Sequence, residues 1–501
     1  MSRFLMTNRR AGKFSNSEKL KSRKALLETM DSSFISNVDK IIESKPKRDT
    51  ARAVVYFEAE DEFINQKKDS IDRDVIIEPE IFHYNSSIRP AELVQLPRSS
   101  LSDDVNFGNT INFNLTIQGA GNPLYGCEVI LHLRTGGINR STSRVTNRNG
   151  RVRFTFSDSF SISTIVVVPA AGFWPMMFRG LRSGNIVECP PLPSAKSRCG
   201  WWHNHLGIQR FKKTRGRGIK VGVADTGVGP HAELVHVIDI GAFVDGLEQQ
   251  AAGADIDVHG SHVCGTIGAR PTSSDHFGGI AAGVRLFSTR VFQPASGANQ
   301  GDIANAIDAL SREHKVDLIN LSLGASVGSQ IIRDAIIDAA ERGTLCVCAA
   351  ANSNGAVEYP AAFPETLAIS ALGLEGWGPP GSIAAQRLPI ELERFGQNNL
   401  YHANFSCFGP EINGTAPGVG IISTVPERLD LEVPYASMGG TSMATPAACA
   451  ALAAVLAADQ QYRALPRSDV RTEHAKLLFQ QSCNDIGLHQ QYQGYGMPQV
   501  P

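Results

Sequence analysis

From Ile219 onward, apolar strands and capped helices alternate, and that order leaves few folds open. Ile219 to Asp225 reads as an apolar strand, and Asp302 as the cap of a helix with Ile303, Ala306, Ile307 and Leu310 on one face. Val316 to Leu323 is a strand. Ser329 caps a second helix that runs through Ala340 and ends at Gly343, and Thr344 to Ala350 is another strand. Strands joined in this way form a parallel sheet with helices on both faces, an α/β fold. Functional groups then belong at the carboxyl ends of the strands, where Asp225 and Asn352 stand. An Ala-rich segment from Ser442 to about Ala458 is apolar nearly all round, so it is predicted to be a helix buried between the sheet and its partners. Pro446 fits its first turns.

Three segments on this frame carry chemistry. Asp225 lies in Val223-Ala224-Asp225-Thr226-Gly227. His259 follows 34 residues later in His259-Gly260-Ser261-His262-Val263, and Ser442 a further 183 residues on in Gly440-Thr441-Ser442-Met443-Ala444-Thr445-Pro446. A hydroxyl becomes a nucleophile when an imidazole takes its proton and a buried carboxylate holds that imidazole in the right tautomer. Alone, Asp225 reads as a strand-end turn cap and Ser442 as a helix cap. Together with His259 they read as one set, and the helix start at Ser442 offers free N–H groups to a developing oxyanion. His259 and His262, three apart, are also conceivable as metal ligands, although no third ligand is obvious. Trp201-Trp202-His203-Asn204-His205 reads as packing ahead of the sheet rather than as a metal site.

These segments resemble the signature blocks of the subtilisin-like serine proteases, the subtilases, over about Gly218 to Gly496. The resemblance implies a serine endopeptidase in which Ser442 is the nucleophile, His259 the general base, Asp225 its orienting carboxylate, and His262 structural. Ile319-Asn320-Leu321-Ser322-Leu323-Gly324 is similar to the family strand that binds substrate backbone, which implies substrate contacts at Ser322, Leu323 and Gly324. Ala349-Ala350-Ala351-Asn352 is similar to its oxyanion block, which implies that Asn352 donates to the tetrahedral oxygen. Ala351 departs from the family, which usually has Gly there, and its methyl group could crowd the loop. Phe405-Ser406 through Gly414-Thr415-Ala416-Pro417-Gly418 is similar to the approach to the serine. Glu358, before Tyr359-Pro360, resembles the wall of the S1 pocket, which makes it either a carboxylate favouring Arg or Lys at P1 or an exposed loop residue. The chemistry implied needs no cofactor. Structural calcium is common in the family, but no acidic loop here specifies a site.

The 501 residues suggest two or three domains. Residues 1–50 read as a basic extension, with residues 1–48 carrying 12 Lys and Arg against 5 Asp and Glu. Residues 51–105 read as a small mixed or linker region, either a folded piece or an inhibitory segment. Residues 106–187 show period-two runs, Ile111-Phe113-Leu115-Ile117, Val129-Leu131-Leu133 and Val152-Phe154-Phe156, with a hairpin signal at Asn149-Gly150. They predict a β-sandwich-like domain. Residues 188–200, with Pro190-Pro191-Leu192-Pro193, read as a linker and 201–501 as the peptidase. The loop 373–400 reads as an insertion rimming the substrate cleft.

Net charge is −1, so nothing global points to nucleic acid. No run of about 18 apolar residues predicts a membrane span. The N-terminus reads without a secretory leader, and nine scattered cysteines, several in core segments, suit a reducing compartment. Cytoplasm is the expected location. The expected partners are protein or peptide substrates, together with a regulator acting through residues 1–190. Two further readings stand beside an active endopeptidase: a protease held latent by its N-terminal region until a partner or cleavage releases it, and a silent protease fold used as a binding scaffold.

Overall fold

The computed structural model describes residues 2–8, 40–43, 54–67, 75–86, 109–250, 252–294, 296–427 and 433–501. A four-stranded sheet comes first, in the order β2-β3-β1-β4. Its strands are β1 (Ser2–Asn8), β2 (Lys40–Glu43), β3 (Val54–Ala59) and β4 (Val75–Pro79), with helix α1 (Asp61–Lys67) between β3 and β4. Residues 2–8 are thus a paired strand and not part of a loose basic extension. Phe4, Leu5 and Met6 are buried, and Phe4 stacks on Phe57 at 5.8 Å. The apolar run is short, and the basic sequence after it masked the signal. The remaining basic stretch, 9–39, lies outside the described residues. A fifth strand, β5 (Phe82–Asn85), leaves this sheet and enters the body of the protein.

Residues 110–189 form two sheets. One has the order β10-β6-β13 with β7 at its edge, and the other β12-β11-β8-β9. The strands are β6 (Thr110–Gly119), β7 (Asn122–Pro123), β8 (Glu128–Thr135), β9 (Ile138–Val145), β10 (Arg151–Ser157), β11 (Ser161–Val168), β12 (Met176–Phe178) and β13 (Ile186–Cys189). Phe113, Leu115 and Ile117 of β6 and Val129, Leu131 and Leu133 of β8, the alternate residues of each strand, share one buried cluster. Glu188 and Cys189 pair with β6, so irregular chain begins only at Pro190.

After the short helix α2 (Trp201–His205) comes a nine-stranded sheet in the order β16-β15-β17-β14-β19-β21-β22-β23, with β24 also on β22. Its strands are β14 (Lys220–Asp225), β15 (Ile238–Val244), β16 (Leu247–Gln249), β17 (Arg285–Arg290), β19 (Leu318–Leu321), β21 (Leu345–Ala349), β22 (Leu367–Leu374), β23 (Leu400–His402) and β24 (Ile412–Pro417). The two-residue strands β18 (Ala298–Asn299) and β20 (Leu323–Gly324) stand beside it. The central strands pair in parallel, and continuous apolar runs such as Leu345–Ala349 are buried on both faces. Helices α3 (His259–Gly268), α4 (Gln300–Asp308), α5 (Gln330–Glu341) and α6 (Thr441–Ala458) cover the sheet, and β25 (Ile421–Thr424) pairs with β26 (Tyr435–Met438) ahead of α6. Helix α6 is long and apolar enough to cross a membrane by length and composition, but 83% of it is buried in the protein.

The insertion 373–400 docks the 110–189 sheets and the last turns before the large sheet. Trp377 meets Trp174 and Trp202 edge-on at 5.6 and 6.2 Å, and the Met177 amide donates to the Gly381 carbonyl at 2.8 Å.

Candidate active site

Two glycines bring the first pair of functional groups together. Gly227 (φ +108°) turns the chain after β14, and a β-carbon on Gly260, at the start of α3, would collide with the Gly227 carbonyl. The close approach lets His259 Nδ1 meet Asp225 Oδ1 at 2.6 Å, with both residues buried. The same carboxylate oxygen accepts the Thr226 amide at 2.7 Å. A carboxylate partner fixes the Nδ1–H tautomer and leaves Nε2 as the acceptor. Burial pulls the His259 pKa down, but the charge and hydrogen bond of Asp225, with the charges of Asp257 and Asp255, together outweigh it, and the net shift is upward. His262 is structural: Nε2 lies 3.0 Å from the Ile421 carbonyl, and burial pushes its pKa down to about 3. His203 is likewise tied to backbone, with Nε2 2.9 Å from the Gly278 carbonyl. Among the described residues no cluster of three His, Cys, Asp or Glu is arranged to hold a metal.

Ser442 opens α6. Its hydroxyl donates to the Ser322 carbonyl at 3.0 Å, and His259 Nε2 makes no hydrogen bond among the described residues. The Ser442 amide instead points, with the Asn352 side chain, at one oxygen. Asn352 Nδ2 donates to the Ser86 carbonyl at 2.6 Å and the Ser442 amide donates to it at 3.0 Å. Asn352 is aimed by Thr441, whose amide and hydroxyl both donate to Asn352 Oδ1, at 2.9 and 3.0 Å.

Ser86 follows β5, which runs antiparallel between two short strands. His83 pairs with Ala298 of β18, while Tyr84 and Asn85 pair with Gly324 and Leu323 of β20. The Ser86 amide donates to the Ser322 carbonyl at 3.1 Å. The N-terminal segment thus lies in the cleft as an added strand. Its sheet is seated on the two helices flanking the cleft. Glu78 accepts the Gln330 amide at 2.5 Å and the Ser329 hydroxyl at 2.7 Å at the start of α5, a favourable place for a carboxylate. The Tyr56 hydroxyl reaches Asn299 and Asp302 at the start of α4. Gln300 bonds both the Pro79 carbonyl and the Ile81 amide. Burial pushes the Asp302 carboxyl up to about 7.

Glu358 is at the same cleft. A β-carbon on Gly324 would lie 3.6 Å from Glu358 Oε2 and 3.5 Å from the Ser86 hydroxyl, and Ser353 donates to Glu358 Oε1 at 3.0 Å. The sequence reading missed Ser86, Thr441 and Asp255, which accepts the Thr226 hydroxyl and the Ser261 amide. A Thr directly before Ser442 was the visible hint for Thr441. For β5, the aromatic and apolar run between Val75 and Asn85 was the hint.

The model of the family described as Subtilase family matches residues 216–496. Subtilisin DY of Bacillus licheniformis is 29% identical over 262 residues, which is 51% of this chain and 82% of that protein. Subtilisin Savinase of Lederbergia lenta is 32% identical over 241 residues, 48% of this chain and 77% of the relative. The major intracellular serine protease of Bacillus subtilis (strain 168) is 33% identical over 272 residues, 52% of this chain and 75% of the relative.

Proposed function

The chain belongs to the subtilase family and is a serine endopeptidase, and we propose that it cleaves peptide bonds through an acyl-enzyme formed on Ser442. The Ser442 hydroxyl turns from Ser322 toward the scissile carbonyl and bonds to its carbon while His259 Nε2 takes the proton. Asn352 Nδ2 and the Ser442 amide hold the oxyanion. His259 then gives its proton to the leaving nitrogen as the C–N bond breaks. Water, deprotonated by His259, frees the acyl group. Asp225 holds the imidazole and stabilises its charged form. The observation that carries this reading is the Ser86 carbonyl, held by Asn352 and Ser442 as a scissile carbonyl would be. Hydrolysis of a denatured protein by wild type and by Ser442→Ala tests it, and activity in the variant ends it. Wild type that neither hydrolyses nor takes a fluorophosphonate on Ser442 is a silent scaffold.

A second reading is favoured by the same contact: the enzyme is latent, with residues 82–86 occupying the cleft. Its release would be a cut at Ser86–Ser87 rather than in the 188–200 stretch, leaving the 110–189 sheets joined to the peptidase as a sandwich-like domain of the mature enzyme. A chain beginning at Ser87 should then outpace the full chain on peptides. Equal activity removes the idea.

Glu358 is proposed to favour Arg or Lys at P1, supported by its place beside Gly324 and Ser86. Cleavage profiling on a peptide library indifferent to P1 charge ends that proposal. The proposed compartment is the cytoplasm, supported by nine unpaired cysteines of which eight are buried.

A further inference from the structure

The turn that carries Asn352 is held in an awkward path. Ala351 has φ +84° and Asn354 φ +52°. A β-carbon at such an angle costs roughly 1–2 kcal/mol, and Ala351 stands where the sequence departs from the family's usual glycine. A strained turn keeps its shape only when its surroundings determine it. Part of the hold is backbone: the Ala351 carbonyl accepts the Cys407 amide at 3.0 Å, and the Asn354 amide donates to the Phe405 carbonyl at 2.7 Å. The rest comes from the insertion. Arg394, in the turn Leu392–Arg394, donates from Nη2 to Asn354 Oδ1 at 2.6 Å.

Arg394 is only 3% exposed. Its guanidinium lies over the Phe408 and Tyr492 rings, 5.0 and 5.2 Å from their centres. Nε and Nη1 make no hydrogen bond among the described residues, and the nearest carboxylate, on the half-exposed Glu391, is 3.9 Å away. Burying a cation without a close counter-charge is costly. Here the cation meets two aromatic faces and one short bond, and that bond goes to the turn that aims Asn352.

We propose that Arg394 is a positioning residue for the oxyanion hole: by gripping Asn354 it keeps the Ala351–Gly355 turn in the left-handed path that points the Asn352 amide at the substrate carbonyl. This role rests on reading Asn352 as an oxyanion donor. The insertion thereby does two things, docking the 110–189 sheets through Trp377 and steadying the turn through Arg394. The carbonyl oxygen gains charge only as the tetrahedral intermediate forms, so a loosened donor lowers kcat more than it raises KM.

The test is kcat and KM of the full-length chain on a peptide p-nitroanilide. Arg394→Gln should lower kcat about 10- to 100-fold, below the 10²–10³ known for outright loss of such a donor in a subtilisin, with KM within about twofold. Arg394→Lys should recover little, because a lysine cannot lie flat between two rings. Asn354→Ala, on the exposed side of the contact, removes the acceptor without giving the turn glycine's freedom at positive φ; it should lower kcat similarly and keeps the test alive if the arginine variants fold poorly. Adding Ala351→Gly to Arg394→Gln should restore much of the lost kcat, since glycine accepts the positive φ without strain. The proposal is overturned if Arg394→Gln and Asn354→Ala keep kcat within twofold of wild type, or if Ala351→Gly rescues nothing. If Asn352→Ala costs nothing, the oxyanion reading itself fails and takes the positioning role with it. A large Asn352→Ala loss with none at Arg394 and Asn354 removes the positioning role alone.

Discussion

Ser322 and Ser442 exchange hydrogen bonds. The Ser442 hydroxyl donates to the Ser322 carbonyl, and the Ser322 hydroxyl donates to the Ser442 carbonyl, each at 3.0 Å. The second bond answers a defect in α6. Position 446 is proline, so the helix has no N–H to satisfy the carbonyl four residues earlier, which is that of Ser442. The backbone at the start of α6 is therefore completed by the side chain of Ser322, which lies between β19 and β20.

Removing that donor should leave a buried carbonyl unpaired. Ser322→Ala is expected to lower stability by about 1–3 kcal/mol, the usual cost of such a group. Pro446→Ala restores an N–H to the helix. In the double variant the Ser322→Ala penalty should shrink to less than half. Denaturant unfolding of the four proteins reads the cycle, and equal penalties in both backgrounds would show that the two bonds are independent.

The pH dependence follows from the Asp225–His259 pair. Asp225 keeps the His259 pKa above its ordinary 6.5 despite burial. A general base acts only when neutral, so kcat/KM should rise with pH through a single ionisation above about 6.5. Asp225→Asn removes the charge that holds the proton. The rate should fall on the order of 10⁴-fold, and the acid limb should move to lower pH. A pH–rate profile measures both, and an unmoved limb would mean that another group governs it.

Much of this site was legible because its chemistry sits at strand and helix ends. Asp225 closes an apolar run and Ser442 lies at the start of an Ala-rich one, so periodicity placed both at element ends, while the roles expected of them came from the family resemblance. What stayed hidden depends on contacts between distant segments. Nothing around Arg394 announces that it reaches Asn354, 40 residues away, because the bond is made by tertiary packing on Phe408 and Tyr492. Strand β1 was obscured by the basic sequence that follows it. The insertion, expected at the rim of the cleft, also carries the tryptophan that packs on the 110–189 sheets.

Glu78 should matter to latency more than its surface-like sequence suggests. Its carboxylate accepts the Gln330 amide and the Ser329 hydroxyl at the start of α5. Glu78→Ala removes both bonds and the charge at the positive end of the helix. Seating of the N-terminal sheet is expected to weaken by about 1–3 kcal/mol, roughly 5- to 150-fold in occupancy of the cleft. Glu78→Gln, which keeps an acceptor, should fall between. Amide exchange of residues 82–86 in the Ser442→Ala background, where the chain stays intact, reports the seating. Unchanged protection in Glu78→Ala would assign the hold to Tyr56 and Gln300 instead.

His83 makes the same seating sensitive to acid. It is fully buried in the docked segment, and burial pushes its pKa down to about 4. Undocked, it returns to about 6.5. The docked state excludes the proton that the undocked state binds, so docking is at full strength above about pH 6.5 and weakens as pH falls toward 4. Between pH 8 and pH 5 the loss is roughly 30-fold. Glu78 and Glu80 act in the opposite sense, since burial raises both carboxyls and they take up protons on docking. The His83 contribution is therefore the difference between wild type and His83→Phe, both carried in Ser442→Ala. After correction for intrinsic exchange, the amides of 82–86 should open about 30-fold more at pH 5, relative to pH 8, with histidine than with phenylalanine at position 83. Parallel pH profiles for the two proteins would mean that His83 stays neutral in both states and that the carboxylates alone set the response.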